Sequence, residues 1–252
     1  LYLLVSSTCS TDFQKDVRPT ARCRMTAQKR GFISGKTVPL FLFIQIVLFP
    51  LIQLTPGGVS GNMSYLAIII VALFAVIACK CAGSEHFVRF GILATLAADY
   101  FLIIADDAQL EGVIIVQLAY CFYLIFSERR FGVCVFNAAL RAVLSAVLVI
   151  CTFALLGEQT DTLSLVSVIY YANLLSNIVF AFMLGKGHGL FAGGLVLFAM
   201  CDLCVGMQVL SADYLRSDAL SFFYSDTLNL PWVFYQPSQV LIALSLFYKS
   251  EE

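Results

Sequence analysis

The chain has 252 residues, 60% of them hydrophobic and only 12% charged, and its mean hydropathy is +0.90. Soluble domains carry about 25% charged residues, so this composition describes a single polytopic membrane domain of the all-α class. A formal net charge of −1 gives nucleic acid nothing to bind.

Residues 1–35 form a basic arm with Lys15, Arg18, Arg22, Arg24, Lys29 and Arg30, and they supply no core. The first Met is Met25, so residues 1–24 read as upstream sequence or as a basic arm lying on anionic lipid. The membrane domain covers residues 36–250. Within it lie eight apolar runs, at about 37–54, 65–79, 86–104, 110–126, 131–156, 163–184, 188–210 and 230–248. Each approaches the roughly 20 residues that a spanning helix needs. Gly57-Gly58 and Gly185-Lys186-Gly187 are breakers between runs. The longest connection, 211–229, holds Asp213, Asp218 and Asp226. The other connections are short, which makes sequential helices antiparallel neighbours.

Lys and Arg set the orientation of such a bundle. With the N-terminus in the cytoplasm, Lys80, Arg89, Arg129, Arg130, Lys186 and Lys249 all fall inside, and Arg216 alone falls outside. Asp106, Asp107, Glu111, Glu158 and Asp161 then gather outside. Both termini are expected in the cytoplasm. His86 and His188 sit at cytoplasmic helix ends, where a cation suits the interface. The nine cysteines, an odd number, show neither a disulfide framework nor zinc spacing. Cys201 and Cys204 form a C-x-x-C inside an apolar run and read as small packing residues.

Two apolar runs carry a carboxylate: Asp99 in the third and Asp202 in the seventh. An ionisable group in hydrocarbon costs at least about 2.5 kcal/mol. At about 1.5 Å per residue, Asp99 lies roughly 20 Å and Asp202 roughly 21 Å along their helices, near one level in the outer half of the bilayer. Gln117 and Tyr120 on the fourth run reach a similar level, as do Tyr170, Tyr171 and Asn173 on the sixth and Tyr235, Gln236 and Gln239 on the eighth. Arg141 on the fifth lies near the midplane, placed to pair with an Asp or to hold a lipid phosphate. This layer reads either as the lining of a water-filled pocket or as a hydrogen-bond network that glues helices together. Trp232 with Tyr235 fits an interfacial belt, Pro231 a helix start, and Pro237 a kink near the polar layer. The Asp-bearing runs stand four apart, and each precedes a run with Tyr and Gln. This suggests a parallel pseudo-repeat of four plus four helices.

These residues resemble the YhhN-like lysoplasmalogenase family. Ala98-Asp99-Tyr100-Phe101-Leu102 is similar to its G-D-x-x-L segment, and the stretch from Gly194 to Asp202 to its G-A-x-x-F-x-x-S-D segment. Gln117-Leu118-Ala119-Tyr120 is similar to H-x-x-Y, and the stretch from Tyr235 to Ile242 to Y-x-x-x-Q-x-L-I. Ala98, Cys201 and Gln117 replace the family's Gly, Ser and His, and an amide cannot replace a titrating His. The resemblance covers about residues 36–248 and implies an eight-helix membrane hydrolase. Its reaction would cleave the vinyl ether of a lysoplasmalogen, a lysophospholipid, to a fatty aldehyde and a glycerophospho-head group. Asp99 and Asp202 would be catalytic, with no cofactor or metal. Gln117, Tyr120, Arg141, Tyr170, Asn173, Tyr235 and Gln239 would contact substrate. The alternative is a transporter or lipid-binding protein whose Asp pair carries protons or a cation.

Overall fold

The computed structural model describes residues 21–55, 58–77, 85–105, 108–131, 135–210 and 229–247. The side chains at 21–36, 58, 59, 130, 131 and 186 lie outside that description. So do the expectations placed on residues 1–20, Gly57, Lys80, Asp106, Asp107, the loop 211–228 with Asp213, Arg216, Asp218 and Asp226, and Lys249.

In hydrocarbon a lone segment must satisfy its own backbone N–H and C=O groups, and a helix does so. The described residues accordingly form α1 (Ala21–Leu54), α2 (Gly58–Ile77), α3 (Glu85–Asp99), α4 (Gln109–Phe131), α5 (Val135–Leu156), α6 (Thr162–Met183), α7 (Gly189–Val209) and α8 (Leu230–Leu244). No strand occurs among them. The bundle is thus an all-α multi-pass membrane fold, and seven of the eight helices are long and apolar enough to cross a bilayer. The exception is α8, which has 15 residues and, unlike the equally long α3, no following turn such as Tyr100–Ile104 to extend its span to 20. At 1.5 Å per residue it reaches about 22 Å, short of a core about 30 Å thick. Pro231 opens it, and past Ser245 the chain tightens into turns, with Leu246 N bonded to Ala243 O and Phe247 N to Leu244 O. The eighth run therefore extends farther in sequence than in helix. At the other end α1 begins at Ala21, so part of the basic arm continues the first helix instead of preceding it.

Gly185, at φ 87°, ends α6 in the left-handed region as the breaker reading requires. Just before α6, Asp161 accepts hydrogen bonds from the Ser164 hydroxyl and, at 2.8 Å, from its backbone N–H. These bonds, the hydroxyl's first, hold the Asp161 carboxyl below the usual carboxylate range.

The packing has a two-fold pattern. The most closely packed pairs are α3 with α4 and α7 with α8. The contacts between halves are chiefly α4 with α6 and α8 with α2. Advancing every helix number by four turns each of these pairs into the other, as a four-plus-four repeat demands. Glycines seat both close pairs. Gly91 lies eight residues before Asp99, and Gly194 eight before Asp202. A Cβ on Gly91 would stand 2.1 Å from the Tyr123 ring; one on Gly194 would stand 2.5 Å from Ile242 Cγ1 and 3.0 Å from the Ser238 carbonyl oxygen. The outlier is α5, which packs mainly on α6 and turns Val143, Val147, Ile150 and Phe153 outward. A lipid solvent accepts such a face.

Two stability measurements test this account. Gly194→Ala should destabilise the detergent-solubilised protein by about 1–3 kcal/mol through overpacking. Gly193→Ala, whose Cβ would meet only Leu241 at 3.7 Å, should be near neutral. For the cap, Asp161→Ala should cost about 0.5–2 kcal/mol at pH 7. A carboxyl whose folded pKa is depressed stabilises above its unfolded value and loses that stability as pH falls through the folded one. The difference between the two proteins' melting midpoints should therefore close below about pH 4.

Candidate functional site

Asp99 ends α3 and Asp202 lies on α7, and each carboxyl is met by a phenol from the other half of the chain. Tyr235 on α8 donates its hydroxyl to Asp99 Oδ2 at 2.5 Å. Tyr120 on α4 donates to Asp202 Oδ2 at 2.7 Å. Advancing by four helices exchanges the two bonds, so the pairs are equivalent in topology. Asp99 and Tyr235 are nearly sealed, at 5% and 6% exposure, and Tyr120 is wholly buried. Asp202 is half-buried.

Phe198, on α7, joins the two pairs. Its ring meets Tyr120 edge-on at 5.4 Å and Tyr235 at 5.3 Å between centroids. Tyr170 packs on Tyr120 at 5.8 Å, and Trp232 meets Tyr235 edge-on at 5.1 Å. Trp232 thus backs the site in addition to suiting an interface. Immediately after Asp99 the helix widens to a π-turn, Tyr100–Ile104, closed by Ala105 N to Tyr100 O at 3.0 Å. Such turns recur at functional sites, and nothing in the residue types announced this one.

One turn from Asp99 toward the start of α3, Thr95 donates to Ile92 O at 2.8 Å and lies 3.4 Å from Gln239 Oε1. Gln239 is fully buried, and its Nε2 has no partner among the described residues. Gln236 points away from the carboxyls and donates to Gln45 O at 3.1 Å and to Gln45 Oε1 at 2.8 Å. Gln117 stays on its own helix, with Nε2 3.8 Å from Cys121 Sγ.

Arg141 and Asn173 belong to a separate cluster. Arg141 Nε donates to Asn137 Oδ1 at 2.8 Å, Nη1 to Asn173 Oδ1 at 2.8 Å, and Nη2 to Asn177 Oδ1 at 2.6 Å. Asn137 donates in turn to Glu128 Oε1 at 3.1 Å, and Asn177 to Tyr120 O at 3.0 Å. Neutral amides, not an Asp, therefore receive the guanidinium. The cluster ties α4, α5 and α6 together and fixes the backbone that carries Tyr120. The expected single layer is thus two networks joined at Tyr120. Asn177, one helical turn beyond Asn173, was legible by spacing alone, whereas Phe198 and Thr95 looked like ordinary helix residues.

Cys201 and Cys204 are buried free thiols, and no group of metal-ligating side chains forms among the described residues. No family model, curated protein or solved structure matches the chain.

The arginine cluster makes its own prediction. Arg141→Met leaves three carboxamide oxygens without their donor, at a cost of at least about 2 kcal/mol. The melting midpoint in detergent should fall by roughly 4–8 °C. Arg141→Lys should recover only part of this, because a compact ammonium cannot span three acceptors held by a planar fork.

Proposed function

We propose that this protein is a membrane hydrolase that cleaves the vinyl ether of a lysoplasmalogen. The observation that carries the reading is the crossed pairing, in which two intramembrane carboxyls from opposite halves are each gripped by a phenol and the two phenols flank one aromatic ring. A vinyl ether is broken by adding a proton to its outer alkenyl carbon, which leaves an oxocarbenium ion for water to attack. Two carboxyls divide that work. One donates the proton; the other, ionised, stabilises the cation and receives the proton that the water loses. The resulting hemiacetal collapses to a fatty aldehyde and a glycerophospho-head group. The phenols orient the carboxyls.

The order of the motifs around Asp99, Tyr120, Asp202 and Tyr235 supports assignment to the YhhN-like lysoplasmalogenase family. The Lys and Arg distribution supports cytoplasmic termini and, with them, a position of both carboxyls nearer the outer leaflet, from which the lysolipid would enter. A second reading is proton- or cation-coupled transport, and the two-fold packing favours it, since parallel repeats with a site between halves build many transporters.

Purified protein in detergent, with no gradient, should release aldehyde from lysoplasmalogen. Asp99→Asn and Asp202→Asn, nearly isosteric, should each lower turnover at least about 10²-fold while leaving the protein folded. The pH–rate profile should be bell-shaped, because one carboxyl must be protonated and the other ionised. Ester-linked lysolipid should be a poor substrate, for the chain has no G-x-S-x-G nucleophile segment. Full activity in the double Asn variant, or no activity in the wild type alongside pH-driven flux in liposomes, would leave the transport reading standing.

A further inference from the structure

The two carboxyl–phenol pairs are equivalent in topology, but what lies beneath them differs. Four residues before Asp99 stands Thr95, and four before Asp202 stands Phe198. Four residues after Tyr235 stands Gln239, and four after Tyr120 stands Leu124. One helical turn below, the Asp99 pair therefore has a hydroxyl and an amide, whereas the Asp202 pair has an isobutyl group and the phenyl ring that it shares with Tyr235. A repeat that keeps its carboxyls and phenols but makes one floor polar and the other apolar has given its halves different tasks.

The polar floor also carries an unmet bond. Gln239 is 0% exposed, and its Nε2 has no partner among the described residues. Thr95 spends its only hydroxyl proton on Ile92 O, so turning the amide over would set Nε2 against the Thr95 oxygen and put Oε1 at the end where Nε2 now has no partner. An unpartnered buried amide group is costly. Water serves either orientation, since it both donates and accepts, and it is the usual ligand of such groups.

We propose that Gln239 is a positioning residue that holds a buried water beside Asp99, and that this water is the one consumed in hydrolysis. The inference rests on the hydrolase reading and assigns its halves. Asp202, over the apolar floor of Phe198 and Leu124, faces the alkenyl chain and gives its proton to the outer alkenyl carbon. The water adds its oxygen to the oxocarbenium carbon and passes a proton to the Asp99 carboxylate. As the hemiacetal collapses, its hydroxyl proton returns to Asp202 and Asp99 protonates the departing glycerol oxygen. Both carboxyls are thereby restored, and one water is consumed per bond broken.

The test uses the intact protein in lipid nanodiscs, at a resolution that shows ordered water, together with steady-state kinetics on a lysoplasmalogen. A water oxygen should lie within about 3.2 Å of the Gln239 amide and should be missing in Gln239→Leu, which copies the equivalent Leu124. The same variant should lose turnover by about tenfold or more, the worth of one lost hydrogen bond, with KM little changed. Gln239→Met serves if the Leu variant does not fold. A protein atom on the free end of the amide, or a Leu variant with unchanged turnover, would overturn the proposal and leave the hydrolase reading intact. A wild-type protein that holds the water but hydrolyses no lysolipid would overturn the hydrolytic role and the hydrolase reading together, leaving only the water site.

Discussion

The hydrogen bonds from Tyr235 to Asp99 and from Tyr120 to Asp202 are the constraint on which the rest of the bundle depends. Hydrocarbon offers no water to a carboxyl, so each must find its partners within the protein. In both cases the partner comes from the other half of the chain. That requirement sets α3 against α8 and α7 against α4, and it seats Phe198 between the two phenols. Close approach of each Asp helix to the helix that follows it is secured separately, by Gly91 and Gly194.

The second polar network supports the first from outside. Arg141 could not be left bare in a membrane helix, and three asparagine oxygens receive three of its N–H groups. Asn177 uses its own amide N–H on the Tyr120 carbonyl, so the arginine cluster holds α4 where Tyr120 can reach Asp202. The only buried residues on α5 are Asn137 and Thr152, both polar, while Val143, Val147, Ile150 and Phe153 face outward. This inversion of a soluble helix is what a lipid solvent selects.

Two-fold packing and unlike surroundings of the two carboxyls coexist without conflict. Backbone packing depends on the glycines and on the phenol–carboxyl bonds, which both halves keep. The floors beneath the carboxyls are side-chain matters, and they are free to differ without disturbing the helices. Thr95 and Gln239 against Phe198 and Leu124 is such a difference. A scaffold of this kind sets two like carboxyls in unlike surroundings.

The sequence by itself determined the class of fold. Long apolar runs with few charges have one solution in a bilayer, and the period of the helix placed Asp99, Tyr120, Asp202 and Tyr235 near one level. It also determined the four-plus-four order, because the spacing of the Asp and Tyr runs is visible in the chain. Only the tertiary structure decided which phenol meets which carboxyl, since neighbours across helices depend on rotation about each axis, and residue spacing leaves that rotation free. It also separated Arg141 and Asn173 from the carboxyls, because depth along a helix says nothing about the side it faces. The π-turn after Asp99 and the turn that ends α8 at Ser245 likewise had no signal, for both depend on local packing rather than on residue type. The roles of Thr95 and Phe198 came last. Either residue is unremarked in a membrane helix until a carboxyl lies one turn away.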